Sequence, residues 1–419
     1  MNLIGKLFLF VWACHFCTTG VRAEDVRARD KAKQSHQKLE AIGGSFLWGG
    51  KELRIGSKEF TDDKIALLAT LDPPLTMLSV YGSGLTSACL PEIGKLTTLE
   101  QLSLSLPDIK DADVAALASL TNLGKLTLRS DTKEGISLTP AGFSKLKALT
   151  KVEHLGIGGH AFPPAVLAAV PDVFPQIKTL DMNHTFSNNA ETLRAFAKFE
   201  HLERIVLGGN PWLPKDAMAE VGNIRTIREL NLVHTGEKDF GTVVRSLQGH
   251  PNLRKIEMAV RGDQLTDDLI PIFLTIPNLE EFTFGNDKGP LTDAAVATIA
   301  KHPNIRVLKL SHPSFTNKAA ELLSRMAGLE ELLVDCESFS DAAFAPLKDI
   351  SKLRVLNIGS YFRGPAITDA VLPHLAELKG IERISLFLHS NASFSNESLE
   401  KLQAALPKAE IKLRWKEVQ

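Results

Sequence analysis

The residue type most open to chemistry is histidine, of which there are twelve. His154, His160 and His184 fall close enough in sequence to suggest a shared site. Zinc would require three or four nitrogen, sulfur or oxygen ligands in tetrahedral array. No Asp, Glu or Cys is phased with these three, so the set is incomplete, and no metal or other cofactor is expected. The run Leu155-Gly156-Ile157-Gly158-Gly159-His160 has the glycines of a phosphate loop but does not open a helix in the way such a loop must. Arg261-Gly262-Asp263 matches a tripeptide read by some adhesion receptors, a coincidence common in a chain this long. Walker, H-E-x-x-H, G-x-S-x-G and EF-hand patterns are all missing. Cys89 and Cys336 stand 247 positions apart and make neither a zinc site nor a disulfide framework. No catalytic constellation is spelled out, and the expectation is a non-enzymatic protein.

Composition narrows the partner. The 419 residues carry 48 basic and 49 acidic side chains, for a net charge of −1. That balance excludes nucleic-acid binding through bulk positive charge. Two Tyr and four Trp are few for a protein that stacks bases or sugars.

Any working residues must be positioned by a repeat. The pattern L-x-x-L-x-L, with other apolar residues allowed, recurs as LEQLSL at 99–104, LGKLTL at 123–128, IRELNL at 227–232 and LEELLV at 329–334. Taking the middle apolar residue as anchor gives Leu53, Leu78, Leu102, Leu126, Leu155, Leu180, Ile205 and Leu230. The series continues through Ile256, Phe282, Leu308, Leu332, Leu356, Ile384 and Ile411. Neighbouring anchors are 24 to 29 residues apart. Between them an apolar residue precedes Ser or Thr and then Asp, Asn or Pro, as in Leu138-Thr139-Pro140, Leu291-Thr292-Asp293 and Ile367-Thr368-Asp369. A hydroxyl at N-cap with an acid or Pro in the first turn is a helix-start signal. Each unit is thus a strand, a turn, a helix and a returning loop. One unit cannot bury its own apolar faces, so the units stack. The predicted fold is α/β, with a parallel sheet lining the concave face of a curved solenoid and helices on the convex face. Pro271, Pro346 and Pro373 predict short or kinked convex helices.

Strand alternation then places specific side chains on the concave face. Just before the anchors come Arg204, Glu229, Lys255 and Glu281. Just after them come Asp181, Val206, Asn231, Glu257, Thr283 and Lys309. The next outward column is small: Gly158, Gly208, Ala259, Gly285, Ser311 and Gly359. The candidate ligand-binding residues are accordingly Asp181, Arg204, Glu229, Asn231, Lys255, Glu257, Glu281, Thr283 and Lys309. Lateral pairing between strands would use the same charges, and both roles remain open for them.

On these motifs the chain resembles leucine-rich-repeat proteins of the cysteine-containing and ribonuclease-inhibitor-like subclasses, and among them exported bacterial ones. It departs where the family usually holds Asn or Cys, at Ser83, Asp131, Thr185, Asn210, Thr235 and Asp287. The resemblance implies a horseshoe that binds through its concave face, with a protein or cell-envelope ligand as partner. It also brings to mind the substrate-recruiting adaptors of the F-box class, and an enzyme with loop-borne groups is a further alternative.

The ends complete the organisation. Lys6, the apolar run Leu7 to Ala13 and Val21-Arg22-Ala23 read as a secretory signal over residues 1–23. A lipoprotein start at Cys14 is the competing reading. Residues 24–50 form a charged segment that turns apolar at Ile42, Phe46, Leu47 and Trp48, suited to covering the first repeat. Residues 51–419 make about fifteen units, closed by Ile411, Leu413 and Trp415. No stretch reaches the roughly 20 apolar residues of a membrane span.

Overall fold

The computed structural model describes residues 23–82, 84–107, 109–130, 137–159, 162–185, 189–235, 238–286, 289–359, 364–388 and 394–415. Apart from Ala23, the signal reading and Cys14 lie outside the described residues. Ala23–Ala41 form a helix at the start of the charged segment.

One sheet runs the length of the molecule. Its first strands are β1 (Gly44–Leu47), β2 (Glu52–Ile55), β3 (Met77–Val80), β4 (Gln101–Ser105), β5 (Lys125–Ser130) and β6 (His154–Gly159). Three short strands follow, β7 (Thr179–Asp181), β8 (Arg204–Val206) and β9 (Glu229–Asn231). Then come β10 (Lys255–Val260), β11 (Glu281–Asn286), β12 (Val307–Ser311), β13 (Glu331–Asp335), β14 (Val355–Ile358), β15 (Arg383–Leu388) and β16 (Glu410–Trp415). The spatial order equals the chain order through all 16 strands. At about 4.8 Å per strand the sheet edge extends to about 70 Å.

The register follows the repeat. Leu53 pairs with Leu78, Leu78 with Leu102 and Leu102 with Leu126. Leu230 pairs with Ile256, Ile256 with Phe282 and Ile384 with Ile411. A slip of one residue would turn every anchor out of the core, so the in-line register is enforced by burial. Anchors and their i+2 neighbours from Leu78 to Leu386 are buried, together with the helix residues that face them. Phe273, Phe282, Phe284 and Phe315 fill the core around β11 with ring centroids 4.7, 4.9 and 5.9 Å apart in sequence.

Two features differ from the sequence expectation. Gly44–Leu47 does not simply cover the first repeat; it joins the sheet as β1, antiparallel to β2. The four-residue connection reverses the chain with Gly49 and Gly50 at φ 66° and 87°, a region open to glycine at little cost. The second difference concerns the Thr-Asp doublets. Thr292, Thr316, Thr368 and Ser395 accept bonds from their own helix as expected, but Thr61, Thr266 and Ser340 do not. The acids instead reach forward to the next repeat. Asp267 Oδ1 accepts the Thr292 amide at 3.0 Å and Oδ2 its hydroxyl at 2.6 Å. Asp293 does the same for Thr316, Asp341 for Thr368 and Asp369 for Ser395. Asn317 bridges to Ser340 in the same way. Asp62–Thr86 and Asp111–Thr139 repeat the tie near the N-terminal end. The bonds from Thr139 hold Asp111 below the usual carboxylate range, and those from Ser395 do so for Asp369.

The middle of the stack is tied differently. Prolines 163 and 214 hold the N-cap position there and have neither amide proton nor hydroxyl to donate. Inside the turn, Thr185 donates to the Ile157 carbonyl at 2.7 Å, Asn210 to Met182 at 2.9 Å and Thr235 to Leu207 at 2.7 Å. Each rung satisfies a buried carbonyl of the preceding repeat. Thr185, Asn210 and Thr235 thus form a ladder of mixed Thr and Asn donors, while Ser83, Asp131 and Asp287 lie outside the described residues.

The convex layer is built of short pieces. Asp267–Thr275 and Asp341–Asp349, which contain Pro271 and Pro346, wind as 3-10 helices. Pro373 sits in the first turn of a four-residue helix, Leu372–Leu375.

Candidate binding face

The outward columns emerge in register on one face. Arg204, Glu229, Lys255 and Glu281 are consecutive partners across β8 to β11. Asp181, Val206, Asn231, Glu257, Thr283 and Lys309 form the parallel column from β7 to β12. Alternating burial along β10 and β12 shows these side chains outside and the anchors inside, whereas Val206 on β8 is buried.

Much of the charge in this region is internally matched. Arg204 lies 3.5 Å from Glu229. Lys255 bridges Glu257 at 3.0 Å and Glu281 at 3.5 Å, and Asn231 donates to Glu257 at 2.7 Å. Burial alone would lower the Lys255 pKa and raise that of Glu257. The hydrogen bonds and the attraction of the neighbouring opposite charges together outweigh it in both, holding the ammonium above and the carboxyl below their usual values. Asp181 turns back to accept the Asn183 amide at 2.9 Å. Lateral ion pairing is therefore real for Arg204, Glu229, Lys255 and Glu281, while Glu257 pairs with Lys255 along its own strand and with Asn231 on the neighbouring one. Thr283 and Lys309 lie half-buried on the same face.

Glycines keep this face low. A Cβ on Gly208 would come within 2.5 Å of Asn183 Oδ1, and one on Gly158 within 3.1 Å of the Arg129 guanidinium. Alternation applied to β3, β4 and β5 brings Tyr81, Lys125 and Arg129 onto the same surface. The alternation within Leu75–Val80, LEQLSL and LGKLTL already carries that signal.

The other sequence candidates separate. His154 stands at the start of β6 and His184 in the turn beyond β7, five register positions along the strand, or about 16 Å. His160 lies outside the described residues. Among the described residues no three His, Cys, Asp or Glu groups come together to hold a metal ion. Gly156 and Gly158 are strand residues rather than a phosphate loop. Arg261, Gly262 and Asp263 are exposed on the turn after β10, where Gly262 has φ 85°. His250 and His302 do turn chemistry: each ring reaches a carbonyl of the preceding repeat, Ile224 at 3.2 Å and Ile276 at 3.0 Å.

A second row of charges runs along the strand-start rim. Lys178 pairs with Glu153 at 2.9 Å, Arg254 with Glu280 at 3.0 Å, Arg306 with Glu330 at 2.7 Å and Arg354 with Glu382 at 2.8 Å. Near it, Lys51, Pro73, Gln101, Lys125 and His154 line an open trough of about 1010 Å³. No described helix is long and apolar enough to cross a membrane.

The continuous in-register sheet with helices returning each strand defines an α/β leucine-rich-repeat solenoid. No family model and no curated protein matches the chain. Among solved structures it is similar to an internalin of Listeria monocytogenes, at 16% identity and TM-score 0.42 over 88% of this chain and 95% of that one. It is also similar to TLR13 in a complex with ssRNA13, at 17% identity and TM-score 0.46, covering 83% of this chain and 55% of that one. A leucine-rich-repeat protein of Leptospira interrogans matches at 15% identity and TM-score 0.37, over 77% and 91% of the two chains.

Proposed function

We propose that this chain is an exported, non-enzymatic scaffold that holds a protein or cell-envelope ligand on its concave face. One observation carries the reading: along a sheet of about 70 Å, the column beside the anchors stays accessible at Arg54, Ser79, Asn231, Thr283, Lys309 and Asn357. A surface of that extent, stiffened by a parallel sheet and lowered by glycines, suits an extended contact better than a small-molecule pocket. Export rests on the N-terminal pattern over residues 1–23.

The test is site-specific photo-crosslinking in the native host. A crosslinker replacing Thr283 on the concave face is expected to yield one discrete adduct, and one replacing Glu321 on the convex helix Asn317–Leu323 none. Adducts from the convex site alone would overturn the face assignment. N-terminal sequencing of the same material is expected to begin at Glu24, and a lipid-modified Cys14 would make the protein membrane-anchored instead.

A further inference from the structure

The concave face is electrically polar along its length. From β2 to β6 the outward positions carry three cations, Arg54, Lys125 and Arg129, against one acid, Glu52. From β7 to β11 the balance reverses, with Asp181, Glu229, Glu257 and Glu281 against Arg204 and Lys255. A chain of nearly zero net charge therefore presents a basic third beside an acidic third on one continuous surface.

The basic third is also shaped to receive something. Arg54 is matched by Glu52 at 2.7 Å. Among the described residues neither Lys125 nor Arg129 has an ion-pair partner. Arg129 extends over Gly158, where a side chain would strike its guanidinium. Ser79, Ser103 and Thr127 are register partners on adjacent strands and lie between these cations. They floor a depression of about 200 Å³ whose walls include Arg54, Gln101 and Lys125, with Glu52 beside Arg54. At its edge the Tyr81 amide continues the sheet ladder to Ile55 at 3.0 Å, which puts the ring on the outward face. That ring is 56% exposed and lies over Gly56, whose missing side chain leaves it room.

Resting on the concave-face reading above, we propose that the partner is a protein that lays an acidic segment across β2 to β6. Carboxylates suit this surface on each count. Guanidinium and ammonium groups give charge-assisted bonds to them, hydroxyls and the Gln101 amide donate to remaining lone pairs, and Tyr and Arg are the residue types that most often anchor protein interfaces. The acidic third beyond Gly156 repels the same segment and favours basic residues. The charge pattern thereby sets the direction in which the partner lies.

The test uses the purified full chain and a short fluorescent Glu-rich peptide, with a Lys-rich peptide and a polyuronate of similar charge as comparisons. The Glu-rich peptide is expected to bind and to weaken several-fold as salt rises. Lys125→Ala with Arg129→Ala should cost at least about tenfold in affinity, about 1.4 kcal/mol, while Lys318→Ala on the convex side leaves it unchanged. Lys125→Glu with Arg129→Glu should exchange the preference and take up the Lys-rich peptide, a gain that a misfolded variant would not show. Equal peptide binding by the parent and the Lys125/Arg129 variants would overturn the proposal, and so would tighter binding of the polyuronate. A silent peptide together with an intact crosslink from Thr283 would overturn the acidic partner alone and leave the scaffold reading standing.

Discussion

The carboxylate of Asp293 accepts two hydrogen bonds from Thr316 of the next repeat, 2.9 Å from its amide and 2.6 Å from its hydroxyl. The same hydroxyl accepts from the Lys318 amide at 3.2 Å. One acid thus organises the start of a helix other than its own, and the chain of bonds links two units through their first turns. Asp293→Ala removes both acceptors and is expected to destabilise by about 1–2 kcal/mol. Asp293→Asn should cost less, because Asn317 already makes the same bridge to Ser340, accepting its amide at 3.0 Å and donating to its hydroxyl at 2.8 Å. Urea unfolding of the two variants checks the order, and equal losses would show that an amide cannot take over the bridge at this position.

The charge network around Lys255 separates stability from binding. Reversing Lys255 and Glu257 together keeps their mutual attraction but sets the new acid at 255 against Glu281 and Glu229. Stability should fall by about 1 kcal/mol, as like charges on neighbouring strands repel. Loss of partner binding should be larger, about 2 kcal/mol or more. Reversing Lys318 and Glu321, both exposed on their convex helix, is expected to change neither. Unfolding of the Lys255/Glu257 variant would make the network structural.

The two buried loop histidines set a pH dependence. Burial is the main cause that lowers the pKa of both His250 and His302 below the usual value. With Nε2 donating to the Ile276 carbonyl, Nδ1 of His302 is left to accept the Asn304 amide at 3.3 Å. Protonation of Nδ1 abolishes that acceptor. Below about pH 6.5 the unfolded chain takes up protons that the folded chain refuses, so stability is full above that pH and declines beneath it. Denaturant midpoints at pH 7.5 and 5.5 should differ, and by less in His302→Gln. An unchanged difference would assign the effect elsewhere.

Thiol chemistry tests the stack as a whole. Cys89 follows β3 and Cys336 follows β13, ten strands on, so about 48 Å separates them. Both are buried and free, and burial pushes each thiol up to about 12. A thiol reagent at pH 8 should find little of Cys89 and Cys336 in the native protein and label both after unfolding. A bond between the two, which needs Cα atoms within about 7 Å, would refute the solenoid.

The strands were legible because a buried anchor in each unit leaves one register that keeps them inside, from Leu53 to Ile384. Strand β1 carries no such mark. Phe46 stacks on His36 at 4.0 Å, a contact with the preceding helix that no repeat announces. The Asp-to-Thr ties were only half visible, since each doublet reads within its own helix while its second partner lies 23 to 28 residues on. The outward face was legible by alternation alone. Which of its charges are matched depends on side-chain reach, and here Lys255 serves two acids while Lys125 serves none among the described residues.

The change of ties between the middle and the ends of the stack has a mechanical consequence. A curved beam resists bending most through bonds far from its neutral axis and least through bonds close to it. From Asp267 to Ser395 the Asp–Thr bridges fasten the outer layer, whereas around Thr185, Asn210 and Thr235 the fastening lies between sheet and helices. The outer layer is therefore fastened by carboxylate bridges along the C-terminal arm, and in the middle by the ion pair of Arg194 with Glu220 above the buried rungs. Because each bridge joins only neighbouring repeats, the loss of one is confined to the two units it fastens and leaves the rest of the arm intact.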